Sequence, residues 1–321
     1  MTRYDRQTRL PEIGAEGQAR LRASRVLVVG AGGLGSTVLP LLAGAGVGTL
    51  RVIDPDEVEE SNLHRQILYR MSDLGRAKAE AAAEALTALN RECHVAPLVA
   101  SLDPVLAARE IAQADLVVDG ADTIAVTYAL SDLCHAARIP LISASVLARS
   151  GYAGGFCGGA PSYRSIFPDL PETMPSCAGG GVMGPAVATL GALQAQMALA
   201  VLLGHEPSPL GLLLSVDLQS WRLSSFRFDT APEPDTAAPR IVARGEIGPD
   251  DIVIELRDPR EAPDLPVPHA QRMSPEDVAR FEPGPDRRVV FVCATGLRAW
   301  RAARRLAART STPVAILAAG R

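Results

Sequence analysis

Lysine is almost missing from this chain. Of its 32 basic residues only Lys78 is lysine and the rest are arginine. Arginine is a planar fork of five donors, whereas lysine is a compact point charge that fits beside a phosphate where a guanidinium would clash. The one retained ammonium therefore marks a candidate anion contact, set against the plainer reading of a lysine left on a solvated helix face. Cysteine is also sparse: Cys93, Cys134, Cys157, Cys177 and Cys293 are odd in number, widely spread and never spaced Cys-x-x-Cys. That excludes a disulfide framework and a closed zinc site, and reduced thiols are expected. No run of like charge occurs. The net charge of −4 divides into about −6 over residues 1–240 (19 basic, 25 acidic) and +2 over residues 241–321 (13 basic, 11 acidic), so nucleic acid is not an expected partner. No basic head precedes an apolar stretch at Met-Thr-Arg-Tyr-Asp-Arg6, so no export is expected and the cytoplasm is the default compartment. Val26 to Leu50 is long and uncharged enough to suggest a membrane span, but its glycines at 30, 32, 33 and 35 break it. Glycine costs a helix about 1 kcal/mol per residue relative to alanine, so the stretch reads as strand, phosphate loop, helix and strand.

What is present is an ordinary globular composition, 47% hydrophobic and 21% charged over 321 residues, enough for two domains with a substantial core. Apolar runs at 26–29, 49–54, 94–100, 114–119 and 140–144 read as strands. Helical periodicity over about 36–45, 75–89 and 103–113 separates them. This alternation predicts an α/β fold: a doubly wound, mostly parallel, Rossmann-like sheet whose ligands bind beyond the carboxyl ends of its strands. Residues 151–185 turn to glycine, proline and serine and read as a long irregular active-site crossover. A helix over 184–203 and a hairpin over 212–228 close the domain. The boundaries expected are 1–229 for the first domain, 230–240 for an extended linker, and 241–321 for a second, smaller α/β domain.

Gly30-x-Gly-Gly-x-Gly35, after a strand and before a helix, brings backbone amides and a helix N-terminus to a phosphate. The turn alone serves nicotinamide, flavin and ATP-type sites, and can be purely structural. Asp54, at the end of the next strand, suits a ribose diol in either nucleotide reading. What separates them is Asp54-x-Asp-x-Val-x-x-Ser-Asn-Leu-x-Arg-Gln66, with Asp56, Asn62, Arg65 and Gln66, together with Lys78 and Asp122. A dinucleotide site holds its pyrophosphate and does not break it. Expelling pyrophosphate needs cations for the leaving charge and a carboxylate for magnesium, so the balance moves to nucleotidyl transfer.

These residues, with Tyr4-Asp-Arg-Gln7, Gly75-x-x-Lys78, the Asp119 to Asp122 strand end and Cys177-Ala-Gly-Gly-Gly-Val-Met-Gly-Pro185, resemble the MoeB/ThiF group of ubiquitin-activating-type adenylyltransferases over residues 3–228. The resemblance implies that ATP adenylates the C-terminal glycine of a ubiquitin-like sulfur carrier ending in Gly-Gly. By the same resemblance the Gly30, Gly32, Gly33 and Gly35 loop surrounds the phosphates, Asp54 binds ribose, and Asn62, Arg65 and Lys78 engage the triphosphate. Asp122 holds magnesium, Arg6 reaches the neighbouring subunit's site in a homodimer, and Cys177 stands where a cysteine can join covalently to the carrier. Three features depart from the pattern. Ser162-Tyr-Arg-Ser165 replaces a zinc-binding Cys-x-x-Cys, so no zinc is expected, and Thr123 and Thr127 replace an asparagine and an arginine.

The C-terminal domain resembles a rhodanese through Ile-Glu-Leu-Arg257-Asp-Pro-Arg-Glu and Phe-Val-Cys293-Ala-Thr-Gly-Leu-Arg298-Ala. A cysteine at a strand end, before a helix N-terminus and beside an arginine, is placed to hold an anionic persulfide. Cys293 is thus expected to carry sulfane sulfur with Arg298 assisting, supplied by a cysteine desulfurase or another donor. The expectation is a fused adenylyltransferase and sulfurtransferase. Molybdopterin, thiamine and tRNA thiolation pathways are all compatible, and a nicotinamide-dependent dehydrogenase and a catalytically silent carrier-binding scaffold are the competing classes.

Overall fold

The computed structural model describes residues 3–169, 181–234, 238–284 and 287–320. Its first half is one eight-stranded sheet. Strands β1 (Arg25–Val29), β2 (Thr49–Ile53), β3 (His94–Leu98), β4 (Leu116–Asp119) and β5 (Pro140–Leu147) lie parallel in the order β3-β2-β1-β4-β5. Strands β6 (Ser150–Cys157), β7 (Leu212–Asp217) and β8 (Arg222–Arg227) extend it antiparallel. Helices α1 (Gly14–Ala23), α2 (Gly35–Ala45), α3 (Lys78–Leu89), α4 (Pro104–Ile111), α5 (Ile124–Ala137) and α6 (Gly184–Leu203) cover it. The doubly wound expectation holds: Val26 and Val28 point into the core under α2 and α6, and Leu27 and Val29 into the core under α4 and α5. Burying each such side chain is worth about 1.5–3 kcal/mol, which is why β1 has no polar face.

One sequence expectation is corrected and another holds. The segment from Gly151 is not irregular: residues 150–157 form β6, paired along its length with β5, and its glycines admit neighbouring backbone. The uncharged run Val26–Leu50 divides into β1, α2 and β2, as expected. The helix long and apolar enough to cross a membrane among the described residues is α6 instead. It packs on α2, β5 and β6, and Gln194 in its middle donates to the Asp119 and Ile142 carbonyls of the sheet.

The second half is a five-stranded, wholly parallel sheet in the order β11-β10-β12-β13-β9, built from β9 (Arg240–Ile241), β10 (Ile252–Glu255), β11 (Gln271–Arg272), β12 (Val289–Cys293) and β13 (Val314–Ala318). Helices α7 (Pro275–Arg280) and α8 (Leu297–Ala307) accompany it. One face of this sheet shares a buried cluster with α5, in which Phe291, Trp300 and Ile316 join Ala125, Tyr128 and Ala129.

Candidate functional site

The site grows from the turn between β1 and α2. Gly30 has φ +93° and lies against the loop after β4, where a Cβ would stand 2.5 Å from the Gly120 carbonyl oxygen. Only glycine allows both the left-handed backbone and that approach. The amides of Gly32, Gly33 and Leu34 make no hydrogen bond among the described residues, while the Gly32 carbonyl accepts from Ser36 N and the Leu34 carbonyl from Thr37 and Val38 N. Three free donors therefore gather at the N-terminus of a buried helix, where an anion is favoured.

Asp54 ends β2 and fixes this loop. Its carboxylate accepts from Ala31 N at 2.7 Å and from Asp56 N at 2.8 Å. Burial pushes its pKa up against the lowering effect of those two amides and of Lys78. Each oxygen keeps a lone pair for a further donor. Lys78 opens α3: its amide donates to the Asp56 carbonyl, and its Nζ lies 2.9 Å from Asp56 Oδ2. The two side chains differ sharply in exposure, 7% for Lys78 and 63% for Asp56. Tyr69, which sequence reasoning missed, ties the two halves together. Its buried hydroxyl donates to the Ala31 carbonyl at 2.6 Å and lies 3.3 Å from the Lys78 carbonyl, and burial raises its pKa well above the usual tyrosine value.

The loop of residues 60–66 forms the opposite wall. Asn62 Nδ2 donates to Glu59 Oε2, and Asn62 Oδ1 accepts from Arg65 Nη2 and Gln66 Nε2, each at 3.0 Å. This side-chain lattice aims Arg65 across the glycine turn, where its Cγ and Cδ come within 3.9 Å of the position a Gly33 Cβ would take. Gln66 Nε2 lies 3.8 Å above the corresponding point on Gly32, and Gln66 Oε1 is buried without a hydrogen-bond partner. Gly30, Gly32, Gly33, Gly35, Asp54, Asp56, Asn62, Arg65, Gln66 and Lys78 thus surround one surface. Free amides, an ammonium and a guanidinium fit a polyphosphate, whereas the unpartnered Gln66 Oε1 is an acceptor and suits a donor such as a hydroxyl.

Asp122 lies exposed in the loop after β4, next to the glycine turn, and accepts a hydrogen bond from the Thr123 hydroxyl at 3.3 Å. A free, solvated carboxylate at that point fits a magnesium ion. Asp119, three residues earlier, has the opposite character. It is buried, accepts from Ser143 Oγ at 2.8 Å and Ala121 N at 3.1 Å, and is also bonded by the Thr127 hydroxyl. Burial raises its pKa above these lowering contacts. Thr127, a departure at the level of sequence, therefore solvates a buried carboxylate. Arg6 is exposed, and the motif around it is an anchor: Tyr4 OH accepts from Asn90 Nδ2, and Gln7 Nε2 donates to the Ala45 carbonyl at the end of α2.

The other candidates stand apart. Cys177 lies outside the described residues. Cys293 ends β12 in the second sheet, is 1% exposed, and its Sγ accepts from the Ala299 amide in the first turn of α8 at 3.4 Å. Arg298 is bonded to Glu261 and to the Leu256 carbonyl; Glu261 foremost, and then Cys293, hold its guanidinium protonated. Ser162 caps a short turn and binds Glu233, Ser165 Oγ donates to the Ser162 carbonyl, and no group of three or more metal-ligating side chains gathers among the described residues.

A model of the ThiF family matches residues 4–238. The chain belongs to the ThiF family. It is 39% identical over 235 residues to the SAMP-activating enzyme E1 of Haloferax volcanii, covering 73% of this chain and 87% of that one. It is 45% identical over 218 residues to the adenylyltransferase and sulfurtransferase MOCS3 of Bos taurus, covering 67% of this chain and 48% of that one. The chain therefore spans about half the length of that MOCS3 relative. Among solved structures, E. coli MccB in complex with MccA superposes with a TM-score of 0.64 at 24% identity, over 72% of each chain. Such a likeness carries the fold. Membership of the ThiF family disfavours the dehydrogenase reading, and the family match stops at residue 238, just before β9.

Proposed function

We propose that this ThiF-family chain is an ATP-dependent adenylyltransferase acting on the C-terminal glycine of a ubiquitin-like sulfur carrier, and that its C-terminal domain supplies sulfur. The observation that carries the reading is the meeting of the free Gly32, Gly33 and Leu34 amides with Lys78 and Arg65 around one surface. An anionic carboxylate must approach a polyanion, so charge cancellation and alignment matter more than a general base. The carrier's carboxylate oxygen bonds to the α-phosphorus of ATP, the bond to the β-phosphate bridging oxygen breaks, and pyrophosphate departs against Lys78, Arg65 and the helix amides. Asp54 meets the ribose hydroxyls with its remaining lone pairs. Asp122 would hold magnesium, which would add charge neutralisation on the phosphates.

In the second stage a persulfide on Cys293 attacks the acyl adenylate. A carbon–sulfur bond forms, the carbon–oxygen bond to AMP breaks, and AMP leaves. A second thiol, Cys177 or a small cellular thiol, then attacks Sγ of Cys293, releasing the thiocarboxylate and leaving a disulfide that further thiols reduce. Domains at 1–229 and 241–321 joined by 230–240, a homodimer in which Arg6 reaches the neighbouring site, and a cytoplasmic location complete the proposal. The names of the archaeal and MOCS3 relatives support it.

The test is exchange of radiolabelled pyrophosphate into ATP, driven by a purified ubiquitin-like carrier ending in Gly-Gly. Exchange is expected with the intact carrier and lost when its last glycine is removed. Exchange that ignores the carrier tail, or tight NADH binding with no exchange, overturns the reading.

A further inference from the structure

The loop Ala294–Gly296 that follows Cys293 is not free in solvent. A Cβ built on Gly296 would stand 2.9 Å from the Ala125 Cβ, in the first turn of α5 and three residues after Asp122. Both loops leave the carboxyl ends of parallel strands, β12 and β4, which is where α/β sheets bind ligands. The two domains thus turn their ligand-binding edges toward one another. One helical turn further along, Tyr128 of α5 and Trp300 of α8 meet with ring centroids 5.6 Å apart.

Arg164 holds that contact. Its guanidinium carbon lies 4.6 Å from the Tyr128 ring centroid and 5.0 Å from that of Trp300, so it touches an aromatic ring on each side of the domain junction. Its fork is locked on Asp132 of α5 through Nε at 2.5 Å and Nη2 at 2.8 Å. Two residues earlier, Ser162 captures the linker: its amide and hydroxyl bond the two carboxylate oxygens of Glu233 at 2.7 and 2.5 Å. The segment Ser162–Ser165 therefore grips the first domain, the linker and α8 together. A buried arginine that contacts two aromatic rings and is paired to one carboxylate fixes both distance and orientation, because the planar fork allows little sliding.

We propose that Arg164 is a positioning residue for sulfur delivery: it clasps α8 to α5 and so presents the Cys293 loop to the edge of the sheet that carries Asp122, within one chain. This rests on the adenylation and sulfur-transfer reading for its consequence, and on geometry alone for the clasp.

The full-length protein is tested as Arg164→Met, Trp300→Leu and, as a control on an exposed pair, Arg304→Ala, which removes a 3.0 Å contact to Asp169 across the same junction. Small-angle scattering reads the junction without any activity. Arg164→Met and Trp300→Leu are expected to lengthen the distance distribution, and Arg304→Ala to leave it as in wild type. Carrier-dependent ATP–pyrophosphate exchange is expected to stay within about twofold, while thiocarboxylate formation falls at least about tenfold, since reacting groups lose their alignment. Unchanged scattering in both variants overturns the clasp. Equal losses of exchange and sulfur transfer overturn the positioning role and reduce Arg164 to support of the first domain. A wild-type protein without exchange defeats the functional reading, yet the scattering comparison still decides the clasp.

Discussion

Replacing Lys78 with methionine separates a catalytic ammonium from a structural one. The Nζ sits 2.9 Å from Asp56 Oδ2, with the lysine side chain 7% exposed and the aspartate 63% exposed. Breaking a buried ion pair costs 3–5 kcal/mol when the remaining charge is trapped without a partner. Here the remaining charge is Asp56, which already faces water, so that penalty does not arise. Methionine fills the same slot at a cost usually below about 1.5 kcal/mol and removes the desolvation of a buried ammonium. The net change in stability is therefore expected within about 1 kcal/mol, or roughly 2–4 °C in melting temperature. Loss of one preorganised contact to developing charge costs about 10²–10³ in rate. Calorimetry and carrier-dependent exchange are measured on the same preparation. Exchange retained within threefold would place the ammonium away from the phosphates. A melting temperature lowered by more than about 10 °C would make Lys78 a structural residue and refute the reasoning.

Tyr69→Phe removes the donor to the Ala31 carbonyl and leaves a buried acceptor without its partner, an expected loss of about 1–3 kcal/mol in thermal unfolding. Titration calorimetry with ATP should show weaker binding, and unchanged affinity would mean the glycine turn holds its shape without the tyrosine. Asp119→Asn tests the buried carboxylate by pH. Burial raises the Asp119 pKa above its ordinary 3.8, so its favourable contribution is complete below that value and is lost as pH rises through the higher folded value. The asparagine variant lacks this loss, and each unit of upward shift corresponds to about 1.4 kcal/mol. Its melting temperature relative to wild type should therefore climb as the pH is raised above 3.8, and a flat difference contradicts the assignment. Mixing Lys78→Met protein with Arg6→Ala protein should restore exchange in a fraction of the heterodimers if Arg6 acts across a dimer; additive activity alone means it does not.

The first domain was legible wherever period and punctuation coincide. The strand of valines before Gly30, the helix after Gly35 and the carboxylate ending β2 follow from spacing, and Lys78 stands at the start of its helix as expected. The sequence was misread where glycine serves packing instead of a turn. Within β6 a Cβ on Gly155 would stand 2.4 Å from the Pro209 carbonyl oxygen, so a residue that reads as loop is the one a crowded sheet requires. Tyr69 carried no signal, being a single aromatic residue in a loop whose role exists only once β1 and α3 converge. Spacing did not separate Asp119 from Asp122, and only the family resemblance singled out Asp122, because their difference is burial: one is walled in by Ser143 and Thr127, the other faces solvent.

The scarcity of lysine also has a structural meaning. Arg51 grips Glu110 through Nε and Nη2, Arg164 grips Asp132, Arg257 grips Glu255 and Arg288 grips Asp251, each with two nitrogens on two carboxylate oxygens. These are fixed joints, since two parallel bonds to one carboxylate hold the planar fork in a single geometry. Lys78 is attached differently, by one bond to one oxygen of a carboxylate that water can solvate in its place. Its ammonium can move from Asp56 to a phosphate without leaving a buried charge behind, because the abandoned carboxylate is the exposed member of the pair. An arginine at 78 would close on both Asp56 oxygens and become another joint. Lys78→Arg is therefore expected to keep the positive charge and the fold while recovering less than about a tenth of wild-type exchange. Full recovery would mean that charge alone, without the freedom to change partners, is what this position supplies.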